Sequence, residues 1–177
     1  GDGRYAALRD EPVGGVDEAR LLIEDSDEKV LVLGNDADGW RMPIFAASED
    51  ASAGILDVCN VMGSVVAQMR DQLGLQIPWL SWLIDLVEPA RDDDTDEWRC
   101  RVYGHRLQSA APEIVLAEDP SRQHRWMSAD ELGEVNAAGL LERGADVIEW
   151  LRMWQNEEDE DGRPITRSYG VPSTDVK

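Results

Sequence analysis

The sequence predicts an α/β domain in which a mixed β-sheet is flanked by helices. Three observations predict it: two short apolar runs split by a turn, a long stripe at helical period, and a second β section ending in a helix-capping sequence. The runs 18–24 (EARLLIE) and 29–33 (KVLVL) are separated by Asp25-Ser26-Asp27-Glu28, a hairpin signature. Residues 35–39 (NDADG) form a turn-rich loop, and 40–43 (WRMP) read as a short strand after it. Ile55, Val58, Val61, Met62, Val65, Val66, Met69 and Leu73 then recur at helical spacing, as the core face of a helix does. Gly63 interrupts this helix at a cost of roughly 1 kcal/mol relative to Ala.

The second β section comprises 77–87 (IPWLSWLIDLV) and 98–107 (WRCRVYGHRL), with a solvated turn between them. The acid cluster Asp92–Asp96 within that turn lacks the glycine and the twelfth-position Glu of an EF-hand and reads as a charged hairpin tip. Residues 113–117 are a further strand candidate. Ser128 and Glu131 form the S-x-x-E capping box that starts a helix. Val147, Ile148, Leu151 and Trp154 then mark a second amphipathic helix over 146–154. After Gln155 the chain is acidic, proline-punctuated and without periodicity. The expected organisation is an N-terminal extension (1–17), one domain (18–154) and a mobile tail (155–177), in keeping with a length of 177 residues.

Residues 39–75 carry the frame of a known motif, and the order of elements around them resembles the Nudix superfamily. Its box runs Gly, five residues, Glu, seven residues, Arg-Glu-apolar-any-Glu-Glu-any-Gly-apolar. Counted back from Gly74, the Arg falls on Ala67 and the following Glu on Gln68. The apolar position falls on Met69, and the paired glutamates fall on Asp71 and Gln72. Gly74 and Leu75 match the closing pair, whereas the early Glu falls on Cys59 and the double glycine after Pro43 becomes Ile44-Phe45. The sequence 125–132 (RWMSADEL) is similar to the family's step from last strand into last helix. The resemblance implies a Nudix-like α/β/α sandwich.

In that family the box glutamates hold Mg²⁺, which polarises a diphosphate and activates water. Here Asp71 is the one acid among the main ligand positions, with Gln68 and Gln72 as neutral neighbours. Asp57 lies fourteen residues away, about 21 Å along a helix, too far for joint coordination. Glu49, Asp50 and Glu118 are the acids that loops would have to supply. Three readings follow: a Nudix-fold binding or regulatory module without hydrolysis, with Arg41, Arg70 or Arg106 as cations for an anionic, nucleotide-like ligand; a divergent hydrolase using Asp71, Mg²⁺ and loop acids; and an interaction subunit. For the third, Trp79 and Trp82 are the candidate interface, toward a second copy or another protein. A two-sided buried strand is the plainer explanation of those two tryptophans.

Composition excludes other classes. There are 37 acidic against 17 basic residues, a net charge of −20, which repels nucleic-acid phosphate. Cys59 and Cys100 are too few for a disulfide scaffold and form no CxxC pair. The longest apolar run is too short to span a bilayer, so the expectation is a soluble, cytoplasmic protein. The lysine-poor, acid-rich surface resembles proteins of organisms that keep high salt in the cytoplasm, although high genomic GC content also favours Arg over Lys. If the charge is a salt adaptation, the thermal midpoint will rise substantially between dilute buffer and molar KCl, because counter-ions screen the self-repulsion. An unchanged midpoint counts against it.

Overall fold

A computed structural model describes residues 16–47, 57–88, 97–116, 122–158 and 163–164, with the backbone alone for 57–60. Among these residues are seven strands and three helices: β1 (Glu18–Glu24), β2 (Val30–Asn35), β3 (Gly39–Arg41), β4 (Ile44–Ala46), α1 (Asp57–Leu73), β5 (Ser81–Glu88), β6 (Trp98–Arg106), β7 (Gln123–Met127), α2 (Ala129–Ala137) and α3 (Gly144–Asn156). The strands belong to one mixed sheet, as the sequence predicts. β1 runs parallel to β6 in the register Glu18↔Cys100 to Glu24↔Arg106, and β5 pairs antiparallel with β6. β1 and β2 pair only at Glu24↔Val30, beside their turn, and then diverge. β3 pairs with β2 and β4 with β1, so the segment 39–46 fills the opening between them. β7 flanks β2 through the register Val30↔Met127 to Gly34↔Gln123.

The alternation of side chains along each strand divides the core into two layers. Ala19, Leu21 and Ile23 of β1 face Val61, Val65 and Met69 of α1. Leu22, Val32 and Val102 face the other way, onto Leu132 of α2 and onto Val147, Trp150 and Leu151 of α3. A strand covered on both faces reads as a near-continuous apolar run, yet β1 also buries Glu18, Arg20 and Glu24. Each is matched. The Arg20 guanidinium meets Glu18 at 2.8 Å and Glu142 at 2.8 Å. Glu24, fully buried, accepts hydrogen bonds from Trp154 Nε1 at 2.8 Å and Gln155 Nε2 at 2.9 Å. Just after β1, the buried Asp25 accepts from the backbone N–H groups of Asp27, Lys29 and Ala111. That carboxylate closes the hairpin and ties it to the loop after β6.

Several boundaries differ from the sequence reading, each for a local reason. The apolar run 77–87 joins the ladder only from Ser81, since Pro78 has no N–H to donate. Ile77 and Leu80 are buried by packing instead. The strand expected over 113–117 is not formed at 113–116; Val115 gives its N–H to Leu73 O at the end of α1. The strand expected over 40–43 divides into β3 and β4 around Met42-Pro43. α3 continues to Asn156 and ends where Glu157 adopts a left-handed conformation, so the structured chain runs past the expected start of the tail at 155. The capping box is formed: Ser128 Oγ accepts from Glu131 N, and Glu131 Oε1 accepts from Ser128 N. The acid cluster 92–96, nearly all of the N-terminal extension and most of the tail lie outside the described residues.

Two substitutions test this packing. Asp25→Ala leaves three N–H groups without their acceptor and should cost about 3 kcal/mol or more in urea unfolding, with the m-value unchanged. At Gly104 an added Cβ would lie 2.6 Å from the Trp154 ring, so Gly104→Ala should destabilise by about 1–3 kcal/mol.

Candidate functional site

Helix α1 buries Val61, Val65, Met69 and Leu73 and presents the rest of its last two turns outward. Gly74 follows in a left-handed conformation (φ 69°), which glycine adopts without Cβ strain. Its N–H donates to Arg70 O, and Leu75 turns back into the core. The closing Gly-apolar pair of the box therefore ends the helix and seats the next segment.

The chemical positions of the box behave differently. Gln68 is the residue that the resemblance aligns with the family's first helical glutamate. Its Nε2 donates to Ala46 O of β4 at 2.8 Å and to Ser64 Oγ at 3.1 Å. The side chain thus pins α1 to β4 as a hydrogen-bond donor, which a carboxylate cannot do. Gln72 is half-buried. Asp71 is 68% exposed and pairs along the helix surface with Arg70, Nε to Oδ1 at 3.2 Å. Among the described residues, no three His, Cys, Asp or Glu side chains are grouped to hold a metal ion. Glu49, Asp50 and Glu118, and the side chain of Asp57, lie outside the described residues. A hard divalent cation needs several oxygen ligands from the protein or substrate; among the described residues these positions offer the solvent-facing Asp71 carboxylate and a Gln68 amide whose N–H groups are engaged.

The three candidate arginines are dispersed. Arg70 is engaged with Asp71 on α1. Arg106 donates to Ser26 O and lies 3.9 Å from both Glu24 and Glu28. Arg41, exposed on β3, lines a recess, a cleft of about 420 Å³ that also involves Leu33, Gly34, Arg122, Gly139 and Leu140. No hydrogen bond or ion pair holds Arg41 among the described residues. One wall of the cleft is the connection from α2 to α3. It docks on β3 as a strand would: Trp40 N donates to Leu140 O at 2.7 Å, and Glu142 N donates to Trp40 O at 2.9 Å. Asn35 shapes the β2–β3 turn by accepting from Ala37 N and Asp38 N. Nothing in the sequence pairs residues 139–142 with β3. Gly139 was the one visible signal, as a helix stop.

The buried ionic groups off the cleft are structural. Burial works against the Arg20 cation, but the hydrogen bond and charge of Glu142, together with Glu18, more than reverse this and raise its pKa. Burial, assisted by Glu18, pushes the Cys100 thiol up to about 12, so it stays protonated and is a poor nucleophile. The Arg101 guanidinium meets Asp85 at 2.8 Å and covers the Trp82 ring at 3.7 Å from its centre. Burial raises the pKa of Asp85 against the opposing pull of Arg101. Of the two candidate interface tryptophans, Trp82 is half-buried beneath Arg101, and Trp79 packs onto the α1-side core.

No protein-family model and no curated protein sequence matches the chain. Solved structures do. The NUDIX domain of Shewanella oneidensis NrtR complexed with ADP ribose superposes with a TM-score of 0.54 at 13% identity, covering 88% of this chain and 99% of that domain. The MutT protein from Methanosarcina mazei Go1 gives 0.55 at 12% identity, over 78% and 93% of the two chains. A C. elegans Ap4A hydrolase gives 0.52 at 11% identity, over 80% and 96%. Together with the mixed sheet between α1 and the α2–α3 pair, these likenesses establish that the chain has the Nudix fold.

Proposed function

We propose that this protein is a Nudix-fold binding module that does not carry out metal-dependent diphosphate hydrolysis. The observation that carries the reading is the state of Gln68, whose amide is taken up by Ala46 O and Ser64 Oγ at the position of a family metal ligand. Asp71, facing solvent beside Arg70, supports it. Fold alone does not set function, and structures of the same fold include an Ap4A hydrolase and a NUDIX domain complexed with ADP ribose. A nucleotide-like anion is the ligand class that this reading assigns to the protein. The competing reading is a hydrolase in which Glu49, Asp50 or Glu118 joins Asp71 around Mg²⁺.

The two are separated by titrating the protein with Mg²⁺ and Mn²⁺ in a calorimeter. Pyrophosphohydrolase assays on ADP-ribose, nucleoside triphosphates and dinucleotides accompany the titrations, at low and at molar KCl. The binding-module reading expects no turnover and no saturable metal site. Turnover that falls in Asp71→Ala would overturn it in favour of the hydrolase.

A further inference from the structure

The cleft beside β3 has three properties that point to one class of ligand. The first is a cation with no partner among the described residues. In a chain with 37 acidic residues against 17 basic ones, arginines elsewhere on the described surface and in the core are paired: Arg20 with Glu18, Arg101 with Asp85, Arg125 with Asp36, Arg143 with Glu88 and Arg152 with Glu149. Arg41 makes no such pair among the described residues, although it stands in a recess. Two acids line the recess: Glu142 is already held by Arg20 at 2.8 Å and 3.4 Å, and Asp38 accepts from Asn35 Nδ2 at 3.2 Å.

The second property is open backbone. Gly139 lines the cleft at φ 76°, and a Cβ built there would meet nothing within 4 Å. The absent side chain leaves room for a ligand rather than for a protein neighbour. The third is a fixed apolar wall. Leu140, half-buried, lines the same recess and is held against β3 by the Trp40 N–H, while the Leu33 side chain is packed into the α1-side core. A planar five-donor fork recognises phosphate oxygens in bidentate fashion, and a volume of this order suits a small organic ligand.

We infer that this cleft binds a small phosphate-bearing organic molecule without a metal ion, the phosphate on Arg41 and the apolar body against Leu140 and the open backbone at Gly139. None of the cleft residues belongs to α1, so the site is separate from the box helix. The inference builds on the binding-module reading by placing its ligand.

The test is calorimetric titration of the full chain with ADP-ribose in excess EDTA, where hydrolysis by any metal site is silent. Wild type should bind, and Arg41→Ala should bind about tenfold more weakly or worse, as expected for loss of a charge-assisted contact. Gly139→Asn retains a residue that tolerates the left-handed conformation but fills the recess, and should weaken binding comparably. Arg70→Ala on α1 should bind as wild type does. Absence of binding by wild type, or wild-type affinity in Arg41→Ala, would overturn the inference, as would a loss confined to Arg70→Ala. Metal-dependent turnover without EDTA would instead overturn the proposed function while leaving the cleft result intact.

Discussion

The fold is organised around charge carried into the middle of the sheet. β1 is buried along its whole length and yet holds Glu18, Arg20 and Glu24, with Asp25 immediately after it. A buried charge that loses its partner costs about 3–5 kcal/mol, so each group dictates what stands beside it. Glu24 requires donors from the end of α3, which Trp154 and Gln155 supply. Arg20 requires carboxylates, and one of them, Glu142, comes from the α2–α3 connection. Through these pairs the strand positions both the last helix and the segment that walls the cleft. Gly104 on β6 completes the arrangement by giving the Trp154 ring room to reach Glu24.

The same connection is anchored from its next residue. Arg143, in a left-handed conformation, reaches Glu88 of β5 at 2.6 Å and Asp146 at 3.0 Å. Glu142 and Arg143 therefore grip β1 and β5 with opposite charges while the backbone of 140–142 pairs with β3. A cleft wall held at three points is preorganised, and ligand binding there would not have to order a loop.

On the binding-module reading, helix α1 carries two separable sets of residues. Met69, Gly74 and Leu75 serve packing and helix termination, and their work here is the same as in any helix that ends against a sheet. At the positions that the resemblance aligns with ion ligands, Gln68 and Gln72 are amides. The Gln68 donor group holds β4 in place, an interaction that favours the amide over the acid.

The elements of the fold were legible in the sequence wherever local pattern governs. β1 was read with its observed limits because a buried strand shows as a short apolar run bounded by a turn. The capping box at Ser128 was read because both of its hydrogen bonds are made within four residues. α1 emerged from a stripe at period 3.6, and Asp71, Gln68 and Gln72 could be aligned because the box has fixed spacing. What sequence did not contain was any contact across distance. That Gln68 bonds to Ala46, that Glu142 finds Arg20 across 122 residues, and that Arg41 stands in a recess with the 139–142 segment are consequences of packing. Local periodicity and turn chemistry thus determined which segments are strands and helices. Only tertiary structure decided which charges meet, because partners for buried groups are selected by proximity in space and not by spacing along the chain.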